Sequence, residues 1–254
     1  MKKKVISCML ALTLALSMTA CGSDDKNVEK GAFEASKQQN DVDVEDLNED
    51  DLNEDDIEEE DFDEEDIEVD SEAVTAERGT FDGNVYTNES MGVQATIPEG
   101  FVLYTEEQIQ QALGAGAEMM ENAEYDSDSI QESLAGTIYD VIAATEDNSA
   151  NIQIVIEETK RSIGMELDAD SYAKLMESNL KTTYQSAGYT IEETDITEES
   201  LGGMDFTVVF VNVAGMMQKA YIRQVGNYVM TFTVTYTDAS ESAVQEFLNS
   251  ITAI

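Results

Sequence analysis

Histidine and tryptophan are absent from this 254-residue chain, proline occurs once and cysteine only twice. Without an imidazole, Ser-His and Cys-His nucleophilic pairs and histidine-ligated metal sites are excluded. Two cysteines cannot build the dense disulfide framework common in small exported domains. Positive charge is scarce too: 13 Lys and Arg face 55 Asp and Glu, for a formal net charge of -42 at pH 7. A chain with this balance has no basic stripe for phosphates, which argues against nucleic acid as a partner. No cofactor motif stands out either, because the Gly-Ala-Gly-Ala stretch from Gly114 lacks the Lys and Ser/Thr of a phosphate loop.

What is present begins at the N-terminus. Lys2, Lys3 and Lys4 precede an apolar run from Val5 to Ala20, broken by Ser7, Thr13, Ser17 and Thr19. At helical rise the run covers roughly 24 Å, short of a hydrocarbon core of roughly 30 Å. The layout is that of an export signal and not of a retained span. At its end Met18, Thr19, Ala20 and Cys21 resemble the lipobox of bacterial lipoproteins, although Met18 stands where that motif prefers leucine. The resemblance implies that residues 1–20 are removed and that Cys21 becomes an acylated N-terminus. The chain is then anchored in the cell membrane on its extracytoplasmic face. A plain secretory signal that happens to contain a cysteine is the competing reading. Cys8 lies inside the discarded segment, so Cys21 would have no partner for a disulfide within the chain, and an acylation site accounts better for a lone thiol there. Two or more acyl chains such as palmitate give a stable anchor, which one chain does not.

Residues 21–78 read as an acidic linker. Asp and Glu fill most positions from Asp41 to Glu72, and no Lys or Arg interrupts them. Within that tract Val42, Leu47, Leu52, Ile57, Phe62 and Ile67 recur every five residues. Five residues advance a helix by about 140° beyond a full turn, so these side chains spiral around the axis without forming a stripe. An odd repeat also alternates between the two faces of a strand. The pattern predicts a disordered, self-repelling spacer with a contour of roughly 200 Å at full stretch. Carboxylates are the ligands that calcium and magnesium prefer, so a divalent-cation sink or a dock for a cationic partner is the sharper alternative. The glycine that bends an EF-hand loop is missing throughout the tract.

From residue 79 to 254 the composition becomes globular and long enough for one domain. Its basic residues are Lys160, Arg161, Lys174, Lys181, Lys219 and Arg223. Val85 and Tyr86, a turn at Asn88–Gly92, then Val93, Ala95 and Ile97 before Pro98 predict a hairpin. Asn88, Glu89 and Ser90 match a glycosylation sequon, but a turn explains them better. Thr105 and Gln108 form a capping box for a helix presenting Ile109, Ala112, Leu113, Ala117 and Met120. Asp126 and Asp128 resemble the start of a calcium loop, yet Gln131 and Thr137 stand where its glycine and glutamate belong, and a capped turn suffices. Strands are expected over 137–145 and 151–158. Asp168 or Asp170 caps a helix carrying Tyr172, Leu175, Met176, Leu180 and Tyr184 until Gly188. Four strands follow, over 189–197, 204–213, 218–225 and 228–237. Asp238 with Glu241 is expected to cap a last helix that turns Val244, Phe247, Leu248 and Ile251 inward.

Hairpin, helix, hairpin, helix, meander and terminal helix make an α+β fold. The cues that carry a family resemblance are diffuse. They are Tyr86 and Asn88 before the first turn, Ile97 to Gly100 leading to Phe101, Leu201 to Gly203 before a long strand, the Tyr221–Tyr228 hairpin and the closing helix. In these the chain resembles the photosystem II extrinsic subunit P (PsbP) superfamily, and especially PsbP-like lipoproteins. The resemblance implies a central antiparallel sheet of about six to eight strands flanked by helices as an α/β/α sandwich, used for docking onto a protein or cell-envelope partner and not for chemistry. No photosynthetic role follows, because a fold does not fix a function. Met119, Met120, Met216 and Met217 are candidates for adaptable contacts, with buried packing the plainer reading. Two other classes remain. A solute-binding lipoprotein usually needs two lobes around a cleft, and this domain is small for that. A carboxylate-based glycosidase needs one defined pair, and none stands out among so many acids. The expectation is therefore a non-catalytic module with no cofactor, no metal site and Cys21 as its one modified residue.

Overall fold

The computed structural model describes residues 75–122, 127–186 and 188–254. The export segment, Cys21 and the spacer through residue 74 lie outside them, as do Asp126 and the side chains of Met119 and Met120. From the N-terminal side the elements are β1 (Thr80–Asp82), β2 (Val85–Asn88), β3 (Val93–Thr96), β4 (Phe101–Leu103), α1 (Glu106–Asn122), α2 (Ser127–Ala135), β5 (Thr137–Thr145), β6 (Ala150–Glu158), α3 (Thr159–Ser162) and α4 (Ala169–Ser186). The chain continues with β7 (Ile191–Leu201), β8 (Met204–Val213), β9 (Met216–Val225), β10 (Tyr228–Thr237), α5 (Glu241–Ser250) and β11 (Thr252–Ala253).

Seven strands form one antiparallel sheet in the order β4-β5-β6-β10-β9-β8-β7, which confirms the α+β class and the central sheet. The first hairpin does not join it. β2 and β3 belong to a separate four-stranded sheet with β1 and β11, in the order β1-β2-β3-β11. The reason is visible in the side chains, since Tyr86, Val93, Ala95 and Ile97 are all buried and pack onto one face of the larger sheet. The fold thus places the small sheet and α5 on one face and α4 on the other.

Period-two patterning dictates which residue goes where. Ile152, Ile154 and Ile156 of β6, with Met230, Phe232, Val234 and Tyr236 of β10, meet Phe206, Val208 and Tyr221 and the inward face of α5. Phe206 lies edge-on to Tyr221 and Phe232, with centroids 6.2 and 5.9 Å apart, and Phe232 touches Phe247 of α5 at 6.3 Å. On the opposite face Val155, Val209, Val211, Ala220, Ile222 and Val229 meet Tyr172, Ala173, Met176, Leu180 and Tyr184 of α4. Fully burying one such aliphatic side chain contributes about 1.5–3 kcal/mol, so the two clusters supply most of the driving force.

Caps behave as their chemistry requires. Thr105 N donates to Gln108 Oε1 at 2.8 Å and Gln108 N returns to Thr105 Oγ1 at 3.3 Å, the reciprocal box expected. Of the two candidates for α4, Asp168 is the cap, accepting from Ser171 N at 2.7 Å. The last helix differs from expectation: Ser240, not Asp238, is its N-cap. The segment after Asp126 forms the helix α2 where a turn was expected. β7 begins and ends later than the pattern suggested, because the Gly202–Gly203 reversal spans two residues only and the strand runs up to it. Met216 and Met217 fall inside β9 and not in a turn.

Gly202 holds φ of +58° where the β7–β8 reversal passes under the end of α5, and a methyl group there would overlap the Ile251 carbonyl oxygen. Gly202→Ala is therefore expected to lower stability by about 1–3 kcal/mol through left-handed strain and overlap, read as an earlier urea midpoint.

Candidate functional site

Three polar clusters stand out among the described residues. The first joins the entry of the domain to its sheets. A bulge in β5 between Tyr139 and Val141 leaves Asp140 out of the ladder and turns its carboxylate toward the small sheet. Asp140 Oδ2 accepts from Tyr86 OH at 2.5 Å, Gly79 N at 2.8 Å and Asn88 Nδ2 at 3.1 Å. Asn88 Nδ2 also donates to Glu77 O at 2.9 Å, Glu77 N donates to Ser90 Oγ at 3.0 Å, and Arg78 Nη1 donates to Tyr139 O at 3.1 Å. Residues 77–79 are therefore latched along the domain. Gly79 permits it, since a side chain there would overlap the Tyr86 ring. Asn88 is buried and its amide is engaged, so the sequon is not available to a glycosyl transfer.

The second cluster lies on the sheet face that α4 covers. Register sets Asn151, Thr235 and Gln218 side by side in one row, Gln153 and Thr233 in the next, and Thr231 beside Val155 in the third. All six polar residues are buried. Tyr184 OH donates to Gln218 Oε1 at 3.2 Å, Gln218 Nε2 to Thr235 Oγ1 at 3.3 Å, and Gln153 Nε2 to Asn151 Oδ1 at 3.4 Å. These are long bonds for a protein interior. Thr231 Oγ1 is buried without a hydrogen-bond partner. At the end of β6, Glu157 is fully buried and accepts from Tyr172 OH at 2.5 Å. Along β10 the residues Tyr228, Met230, Phe232, Val234 and Tyr236 alternate with Val229 and the threonines, a pattern that suggests one solvent face; instead both faces are covered, because the threonines lie inward under α4.

The third cluster reaches across β8 from β7 to β9 on the other face. Lys219 Nζ lies 2.9 Å from Glu199 Oε1 and 5.8 Å above the Tyr221 ring, and Tyr221 OH donates to Glu199 Oε2 at 3.1 Å. Burial raises Tyr221 well above the ordinary phenol value, and the Glu199 carboxylate adds to it. Tyr86 is raised in the same way by burial and then by Asp140. Phenols pushed in this direction stay protonated as hydrogen-bond donors and are poor bases or nucleophiles at neutral pH.

The residues singled out from the sequence are dispersed. Cys21 lies outside the described residues. Met216 is buried, and Met217 packs half-buried against the α5-side core, so both serve packing. Asp128 is exposed in the first turn of α2. Among the described residues no three of His, Cys, Asp and Glu converge as metal ligands, and no helix is long and apolar enough to cross a membrane. Sequence reasoning missed Asp140, Glu157 and Glu199. In an acid-rich chain only a bulge, a register or a covering helix distinguishes them from solvated neighbours.

No protein-family model matches the chain, and no curated protein matches it in sequence. Among solved structures it is similar to the cyanobacterial PsbP protein (CyanoP) of Synechocystis, at 12% identity and a TM-score of 0.40, over 69% of this chain and 98% of that one. It is also similar to LpqN of Mycobacterium tuberculosis, described as involved in cell envelope biogenesis, at 11% identity and a TM-score of 0.33, over 63% and 82% of the two chains. A protein from Bacteroides thetaiotaomicron matches at 10% identity and a TM-score of 0.25, with 45% of its length covered. The α+β architecture itself rests on the strand order and register above.

Two outcomes follow from these clusters. A phenol whose folded pKa exceeds its unfolded one stabilises while neutral; the contribution is complete below the ordinary 10.0 and is lost as pH rises beyond it, because the unfolded chain ionises first. Thermal midpoints should thus fall above about pH 10, and Tyr86→Phe with Tyr221→Phe should flatten that fall, followed by tyrosinate absorbance. In the buried rows, Thr231→Val should raise stability by about 1 kcal/mol by removing an unpaired hydroxyl, whereas Tyr172→Phe should cost about 1–3 kcal/mol by taking a donor from buried Glu157, both read by urea denaturation.

Proposed function

We propose that this chain is a membrane-anchored extracytoplasmic lipoprotein whose domain is a non-catalytic binding or assembly module, held off the bilayer by the acidic spacer. The observation that carries the reading is the apolar run that ends at Ala20 and Cys21, with no second thiol after it. Acylation there supplies the anchor, and the self-repelling tract supplies the reach. Within the domain itself, residues 77–79 are latched to β5 and to the small sheet.

The non-catalytic part rests on how the clustered carboxylates are used. Asp140 accepts three donors, Glu199 is shared by Lys219 and Tyr221, and Glu157 accepts from Tyr172. Each is committed to holding the fold together. A protein or cell-envelope partner fits a surface of this kind better than a reacting small molecule.

Anchoring is tested in the native host. Wild-type chain should incorporate radiolabelled palmitate and sediment with membranes, while Cys21→Ala should do neither; label on the variant, or none on the wild type, defeats the reading. Capture from native membranes with the anchored chain should bring down a protein or envelope component. Turnover of peptidoglycan or another glycan that vanishes with one carboxylate substitution would make the protein an enzyme instead.

A further inference from the structure

The two edges of the large sheet are unequal. β4 closes one side with three residues, whereas β7 closes the other with eleven, from Ile191 to Leu201. Proteins commonly keep edge strands short or covered, because an open edge is a row of free backbone donors and acceptors. Among the described residues nothing pairs with the outer side of β7.

Its outward groups follow from the register. The Gly202–Gly203 reversal sets Leu201 opposite Met204 as a hydrogen-bonded pair, so the pattern alternates back along the strand. Leu201, Glu199, Thr197 and Asp195 bond to β8; Ser200, Glu198, Ile196 and Thr194 turn N–H and C=O to the open side. The one outward amide with a partner agrees, since Ile196 N donates to Asp195 Oδ1, the neighbouring side chain, at 2.9 Å. β7 is also acidic, with Glu192, Glu193, Asp195, Glu198 and Glu199, and of these Glu199 is matched by Lys219. A second copy of this edge would set carboxylates against carboxylates, and the acidic spacer would do the same.

We propose that β7 is a docking edge that accepts an extended, Lys- or Arg-bearing segment of a partner protein as an eighth antiparallel strand. Backbone pairing to Thr194, Ile196, Glu198 and Ser200 supplies the register, and cationic side chains opposite Asp195 on one face and Glu198 on the other supply selection. Asp195 serves two roles on this account. It occupies the Ile196 amide while the edge is empty, which suppresses pairing with neutral strands, and it releases that amide when a cationic side chain draws the carboxylate away. This deepens the binding-module reading and depends on it, but it concerns the edge alone and not the anchor.

The test uses the full mature chain and amide hydrogen exchange resolved at single residues. The probe is a nine-residue peptide of alternating Lys and Val, and its control is the same peptide N-methylated at alternate residues so that it keeps its charge but cannot pair as a strand. Because the acidic spacer attracts both peptides, the readout is protection at β7. The unmodified peptide should slow exchange at Ile196, Glu198 and Ser200 by roughly tenfold, the methylated one should not, and added salt should weaken the effect. Ile196→Pro, which removes an outward amide and leaves the β8 ladder intact, should abolish the protection. The double variant Asp195→Lys with Glu198→Lys provides the same loss without a proline. Equal protection by both peptides, no protection by either, or protection that survives the double variant overturns the proposal, whereas loss of palmitate labelling would instead defeat the anchored reading.

Discussion

β10 is hydrogen-bonded along both edges, to β6 and to β9, and its side chains are covered on both faces. The rest of the domain is arranged by that constraint. Met230, Phe232 and Val234 need an apolar cover, which the small sheet and α5 provide. Thr231, Thr233 and Thr235 point the other way and still lie buried. Beside them the register sets Asn151, Gln153 and Gln218, so polar rows lie among the apolar residues of the α4 side. Buried amides and hydroxyls cost stability unless their bonds are good, and these are long. The aliphatic cluster around Tyr172, Met176 and Leu180 offsets that cost.

An irregularity in the large sheet supplies one of the ties that hold the small one. Without the bulge in β5, Asp140 would point along the regular pleat. With it, one carboxylate gathers Tyr86, Asn88 and the backbone of Gly79. Arg223 makes a second tie from β9, donating to Met91 O at 3.3 Å. Ser250 makes a third from α5, accepting from Thr96 N at 2.8 Å. The three ties come from distant parts of the chain, so the small sheet is bonded to β5, β9 and α5 at once.

Much of this was legible beforehand. Strand patterning along 151–158, 204–213 and 228–237 announced the central strands, the Thr105 and Gln108 box announced α1, and Gly202–Gly203 announced a reversal, because each is written in a few neighbouring residues. β1, β4 and β11 were not legible. Each has only two or three residues, too few to show a period, and β4 and β11 become strands through partners far away in the chain. Asp140, Glu157 and Glu199 were hidden for a related reason, since burial and neighbours distinguish them and composition does not.

By itself the sequence determined a charged and apolar N-terminal segment followed by Cys21, an acidic tract whose five-residue apolar repeat matches neither helix nor strand period, and an α+β domain without histidine or tryptophan. Local chemistry suffices there, because composition, charge density and strand period are each written in a few neighbouring residues. Tertiary structure alone decided that the first hairpin forms its own sheet, that the threonine face of β10 is dry, and that β7 is the exposed edge. Those outcomes depend on which distant strands pair, and long-range pairing is set by the burial of whole faces and not by any short stretch of residues.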